Sequence, residues 1–207
     1  MGRRVVIDIS VRPVVAREDG RKVLRVGGVI QSVHVDETYQ PDIWDAMLPS
    51  ERPERMLILG LGGGTMAALL TKRWGEVPIV GVERDPAVVW LARTEFGLAA
   101  LPHVQIVTED AFTFVRRCED YFDAICVDLY TAGKMAHGVL DPSFLHGVAG
   151  LLSPAGVVMF NLWRSPYLSD QLRRLRRVFA VREVVEVDDN VVVRCGQPLT
   201  GDVEYAK

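Results

Sequence analysis

Cysteine is scarce in this chain, and what there is does not cluster. Cys118, Cys126 and Cys195 fit no zinc-binding spacing, and the last two fall inside runs that read as strands. Core packing of reduced thiols is expected for all three, ahead of a catalytic thiol, with the cytoplasm as the expected location. No apolar run approaches the roughly 20 residues that a membrane helix needs. The start, Met1-Gly2-Arg3-Arg4, leads into an alternating pattern and not into an unbroken apolar stretch. Neither a secretory signal nor a membrane partner is therefore expected. An excess of basic residues is missing too: the formal net charge is −3, which counts against nucleic acid as a partner. No metal site is expected, and no repeat or low-complexity segment interrupts the chain. What remains is a globular balance of 49% apolar and 25% charged residues over 207 positions, enough for one domain with a sizeable core.

Two regions differ in rhythm. Residues 1–40 are β-rich, with strand-like runs at Val5 to Val11, Lys22 to Val26 and Val29 to Val35. The Glu18-Asp19-Gly20 turn and the Gly27-Gly28 break predict a small antiparallel sheet. Residues 41–207 form the second region. Pro41 opens a short helix through Met47, and Pro49 to Pro53 is a linker. Strands and helices then alternate. Strands are predicted at Met56 to Leu59, Ile79 to Val82, Val104 to Val107, Ala124 to Val127 and Val157 to Phe160. Helices are predicted at about Met66 to Trp74, from Asp85-Pro86 as N-cap and first position, and from Pro142 to Leu152. Val181 to Val187 and Val191 to Cys195 flank an Asp188-Asp189-Asn190 turn and read as an antiparallel hairpin. The pattern predicts an α/β fold with a mostly parallel sheet, helices on both faces, and a ligand at the carboxyl ends of the strands.

The residues at those ends carry the chemistry. The first strand runs into Gly60-Leu61-Gly62-Gly63-Gly64-Thr65, where glycines permit a sharp turn and close approach of a ligand. The second ends at Glu83, about 20 residues on, where a carboxylate can accept two hydrogen bonds from a ribose diol. Either alone has a plain structural explanation, as a tight turn or a solvated strand end; together they predict an adenosine-type ligand. Thr65 stands where a dinucleotide fingerprint wants its third glycine, which disfavours NAD. Glu109-Asp110-Ala111-Phe112 follows the third strand. Asp110 can meet an adenine amino group, cap the next helix, or do both. Asp128 ends the fourth strand and opens onto the same crevice, where it can orient or deprotonate a nucleophile. The loop Thr131 to Gly138 is small-residue-rich and reads as a cover over the substrate; His137 within it reads as a surface residue.

These residues resemble those of spermidine synthases and the wider spermidine-synthase-like proteins over roughly residues 24 to 163. The likeness takes in Gly28-Val29-Ile30-Gln31, Asp36-Glu37, Tyr39-Gln40, the glycine loop, Val82-Glu83-Arg84-Asp85, Glu109 to Phe112 and Val127-Asp128. It implies a Rossmann-like class I methyltransferase fold with a seven-stranded sheet, and a homodimer. It implies that Gln31, Glu83 and Asp110, with Gly60, Gly62, Gly64 and Ala111, hold the nucleoside. Asp128 would face the attacking group, and Tyr39 would line the acceptor site. Two departures stand out. Those synthases carry an aspartate where this chain has Gly63, and a second one where it has Thr131. Both carboxylates suit cationic substrates, so ordinary spermidine synthesis is not the leading expectation. A loop without that carboxylate no longer repels the methionine carboxylate of intact S-adenosylmethionine. The leading expectation is methyl transfer from S-adenosylmethionine to an unidentified small acceptor, for which an amine is one candidate. The alternatives are aminopropyl transfer from decarboxylated S-adenosylmethionine and a non-catalytic nucleoside-binding module.

Overall fold

Residues 12–197 are described by a computed structural model of the chain, so the strand expected from Val5 to Val11 lies outside the described residues. Three short strands come first: β1 (Val14–Glu18), β2 (Arg21–Val26) and β3 (Val29–Val33) pair antiparallel in that order. β1 is not anticipated from sequence, because its Val14 and Val15 face outward and break the alternation that marks a half-buried strand. α1 (Ile43–Ala46) follows, started by an Asp42 capping box that shortens the helix expected from Pro41.

Alternation then sets in with β4 (Met56–Leu59), α2 (Thr65–Trp74), β5 (Ile79–Glu83), α3 (Pro86–Glu95), β6 (Val104–Thr108), α4 (Ala111–Arg117) and β7 (Phe122–Val127). A small hairpin, β8 (Tyr130–Thr131) and β9 (Lys134–Met135), precedes α5 (Pro142–Leu151), β10 (Leu152–Trp163), α6 (Leu168–Arg176), β11 (Ala180–Val187) and β12 (Asn190–Gly196). Among the described residues the main sheet has seven strands in the order β11-β12-β10-β7-β4-β5-β6. β10, β7, β4, β5 and β6 run parallel, and β12 and β11 close one edge antiparallel. This is the α/β architecture predicted from the sequence, preceded by its small antiparallel sheet.

Central position explains the composition of β4. All four residues are buried, and the pleat sends them alternately to opposite faces. Leu57 and Leu59 join the core beneath α4 and α5, whereas Met56 and Ile58 join the core shared with α1 and α2. That second core also takes in Val23 and Val33, so the N-terminal sheet packs on the main domain. Each such side chain contributes about 1.5–3 kcal/mol on burial. Cys126 and Cys195 are fully buried and free, as core packing requires.

Two elements differ from expectation. β10 extends well beyond Val157 to Phe160, because it is paired on both sides, by β7 and β12. Pro154 is tolerated because the register shifts between Leu152 and Val157, where no ladder bond is needed from it. α6 is not anticipated: Arg173, Arg174, Arg176 and Arg177 mask its Leu168, Leu172 and Leu175, of which Leu175 is fully buried. The strand order reverses between β4 and β7, where connections leave the sheet in opposite directions and a crevice opens.

Candidate functional site

Gly60 and Asp128 end the two strands that flank this reversal. The Asp128 amide donates to the Leu59 carbonyl at 2.9 Å, and the Gly60 amide to the Val82 carbonyl at 3.0 Å. The approach is so close that a Cβ on Gly60 would stand 2.1 Å from the Asp128 carbonyl oxygen, and Gly60 has φ +92°. No other residue fits there.

The first cleft runs over this point. Gln31, Gly60, Gly62, Glu83, Asp110 and Ala111 all line it, together with Phe112, Asp128 and Tyr130. Six of the residues proposed from sequence are thus brought together with Asp128. Glu83 braces the glycine loop: one carboxylate oxygen accepts from the Gly62 amide and the other from the Asp85 amide, each at 3.0 Å. Each oxygen keeps a second lone pair, so the carboxylate can still accept two hydroxyl groups. Asp110 caps α4, accepting from the Thr113 amide at 3.0 Å, while it lines the cleft. Gly64 stands outside the cleft as N-cap of α2, hemmed in by Leu98.

A second cleft lies against the first. Ile30, Ile43, Trp44, Asn161 and Trp163 line it, with Arg21 and Asp42 at charged positions. Gln31, Asp128 and Tyr130 line both clefts, so these three form the junction. Burial pushes the Asp128 carboxyl above the usual carboxylate range, against the lowering effect of hydrogen bonds from Asn161 and Trp44. The Asn161 side-chain amide donates to Asp128 at 2.9 Å. Asn161 is only 7% exposed, and its Oδ1 is buried without a hydrogen-bond partner. An unpaired buried acceptor costs about 1–3 kcal/mol, so this atom marks a place for a donor to be supplied. Tyr130 steadies the strand by donating from its hydroxyl to the Asn161 backbone carbonyl at 3.3 Å.

Tyr39, expected at the acceptor site, stands apart from both clefts. Its hydroxyl donates to Asp45, the capping-box residue of α1. Partial burial, and then that carboxylate, hold the phenol protonated, well above its usual range. Trp44, five residues on, stands on the second cleft. The loop after Asp128 is an ordered hairpin that turns at Ala132-Gly133 and sets Ala136 on the first cleft and Gly133 on the second. His137 is exposed, as expected of a surface residue. The sequence reading missed Asn161 as a site residue, although it sits at the carboxyl end of a parallel strand, the position that flagged Asp128. Its signal was a lone amide inside an otherwise apolar strand.

Residues 8–182 match the spermine/spermidine synthase domain family. A polyamine aminopropyltransferase of Vibrio vulnificus is 29% identical over 127 residues, covering 60% of this chain and 42% of that protein. A Drosophila pseudoobscura protein named eEF1A lysine and N-terminal methyltransferase homolog is 30% identical over 158 residues, covering 68% of this chain and 23% of that protein. This chain therefore spans less than half the length of either relative. Among solved structures, a probable spermidine synthase from Corynebacterium glutamicum aligns with a TM-score of 0.69 at 17% identity, covering 89% of this chain and 76% of that one. Human methyltransferase-like protein 13, solved in complex with SAH, aligns with a TM-score of 0.64 at 23% identity, covering 74% and 76%. These structures share the class I methyltransferase fold with this chain.

Proposed function

The chain belongs to the spermine/spermidine synthase family, and from that premise we propose that it binds S-adenosylmethionine and transfers its methyl group to an amine. The observation that carries this reading is the junction: Asp128 lies at once on a cleft suited to a nucleoside and on a cleft with an unpaired buried acceptor. The first cleft fits the nucleoside on its own residues. Glu83 has two lone pairs for the ribose, Asp110 and Ala111 stand where the adenine would lie, and the glycine loop permits close approach. When bound, the sulfonium supplies a methyl carbon whose bond to sulfur breaks with the electron pair passing to sulfur.

The rest falls to the chain's own side chains. Asp128 accepts one N–H of the amine and Asn161 Oδ1 a second, which orients the nitrogen and leaves a position for its lone pair. A hydroxyl has one proton and cannot satisfy both, so the pair favours nitrogen over oxygen as nucleophile. Asp128, raised in pKa by burial, then receives the proton that the nitrogen releases. Trp44 and Ile43 exclude water beside the reacting atoms.

Aminopropyl transfer to an amine is the second reading. Asp42 and Asp128 both line the second cleft and offer two carboxylates to a cationic acceptor. The bare Gly63 weighs against it, since nothing at that position attracts the ammonium of a decarboxylated donor. Mass spectrometry of the nucleoside retained by purified protein, then assay of each donor with a panel of amines, tests both readings. Methylated amine supports the first; an aminopropylated product replaces it with the second. Retention and binding of neither nucleoside defeats both.

A further inference from the structure

The side chain of Asn161 is held in one orientation by its neighbour. Its Nδ2 donates to the Asp128 carboxylate at 2.9 Å, which turns Oδ1 away from that carboxylate. The opposite orientation would set two acceptors against each other. Asn161 lines the second cleft, and its Oδ1 is buried without a hydrogen-bond partner among the described residues. Asp128 has its protein partners fixed too, since the Asn161 amide and Trp44 both bond to it. The junction of the clefts therefore offers an incoming nitrogen two acceptors, Asp128 and Asn161 Oδ1. Beside them Ile30, Ile43 and Trp163 form apolar wall for the carbon chain that such a nitrogen carries.

Two acceptors limit how many methyl groups the nitrogen can take. An attacking amine nitrogen has four tetrahedral positions. The lone pair points at the donor in the first cleft, and the carbon chain runs into the second. The two positions left face Asp128 and Asn161 Oδ1, and a primary amine fills both with N–H. Attack forms the N–C bond while the C–S bond breaks with its electron pair passing to sulfur, and the nitrogen passes one proton to Asp128. The product nitrogen then carries one N–H and one methyl group. In a second attack the N–H has to face Asp128, the group that takes the proton. The methyl group is thereby forced against Asn161 Oδ1, which stays buried and unpaired. A site built to bond a substrate N–H rejects the analogue that lacks it far more strongly than bulk alone does.

We propose that Asn161 sets the extent of methylation: it confines transfer to primary amines and stops the reaction after one methyl group. The inference rests on the methyl-transfer reading above and adds the class of amine and the residue that selects it. Butylamine, benzylamine and N-acetyl-lysine, each beside its counterpart with one N-methyl group on the reacting amine, serve as acceptors with S-adenosylmethionine. Mass spectrometry counts the methyl groups added. Wild type should methylate a primary amine once, with kcat/KM for the N-methyl counterpart lower by about 100-fold or more. Asn161→Ala removes the acceptor and leaves space for the methyl group. The primary amine should then react more slowly, dimethylated product should appear, and the ratio of the two kcat/KM values should narrow by about tenfold or more. The accompanying change at Asp128 acts on both amines alike and cancels in that ratio. Thermal unfolding checks that the variant folds; should it not, Asn161→Val, which suits a strand and also lacks the acceptor, takes its place with the same expected narrowing. The wild-type ratio needs no variant. Comparable turnover of both amines, or dimethylated product from a primary amine, overturns the proposal and leaves the methyl-transfer reading standing. An unchanged ratio in the folded variant overturns it as well. Transfer to no primary amine of the set defeats the methyl-transfer reading, and the proposal with it.

Discussion

The two clefts that meet at Asp128 are built on opposite plans. On the side of the first cleft the loop is braced throughout: Glu83 holds the Gly62 and Asp85 amides, Ser32 holds the Gly63 amide, and Thr65 ties the loop to β3. On the other side Asn161 Oδ1 is buried and unpaired, and Asp128 carries a carboxylate where burial disfavours charge. The first side needs little reorganisation to receive its ligand. The second is incomplete in itself, and on the proposed reading an N–H-bearing acceptor would supply the partner that its buried acceptor lacks. A donor used at every turnover suits a preorganised seat, whereas strain relieved by the acceptor suits the side that selects it.

Changes on either side should therefore separate binding from transfer. The largest effect is expected of Asp128→Asn. Transfer to any amine found active should fall by about 100-fold or more, while calorimetry shows nucleoside affinity nearly unchanged. Loss of nucleoside binding in this variant would move Asp128 to the donor side and erase the contrast. Glu83→Ala should do the reverse, weakening the nucleoside by about tenfold or more through lost ribose hydrogen bonds and a loosened loop. Unchanged affinity would remove Glu83 from the ribose.

Asn161→Ala sharpens the comparison through pH. Burial raises the Asp128 pKa above its ordinary 3.8, and the Asn161 hydrogen bond lowers it. The proposed transfer needs the carboxylate, so on that reading the acid limb of the wild-type rate profile should lie above pH 3.8 and move further up in Asn161→Ala, with several-fold weaker amine binding. A limb that moves down would contradict the assigned hydrogen bond. The sign for stability is the same: a raised folded-state pKa means that ionising Asp128 costs stability as pH rises through it.

Asp36 supplies the opposite sign and the smallest effect. Hydrogen bonds from the Thr38 hydroxyl and amide, and then from His34, hold its carboxyl down at about 2, below the ordinary 3.8. Its contribution to stability is present above the unfolded value and is lost as pH falls from about 3.8 to about 2. Because Asp36 is exposed, Asp36→Asn should flatten the acid end of a thermal-unfolding series only slightly, measured as a small loss of slope below pH 4. A large loss at neutral pH would give this loop a part in the fold that its exposure does not suggest.

The sequence alone carried the elements whose causes are local. Four apolar residues before Gly60 mark a central strand, Asp85-Pro86 marks a helix start, and Asp188-Asp189-Asn190 marks a hairpin turn, because each depends on neighbours a few positions away. Glu83, Asp110 and Asp128 were legible for the same reason: the carboxyl end of a parallel strand is a sequence position before it is a place. Tertiary structure alone decided what depends on distant contacts. Asn161 becomes a site residue only because β10 lies beside β7, 33 positions from Asp128. Tyr39 stands apart from both clefts, with its hydroxyl held by Asp45. Gly63 reads as a missing carboxylate in the sequence; folded, it is a position closed by Ser32, 31 residues earlier. Periodicity and turn chemistry act within a few residues, whereas steric exclusion and the pairing of buried polar atoms act between strands that only the fold brings together.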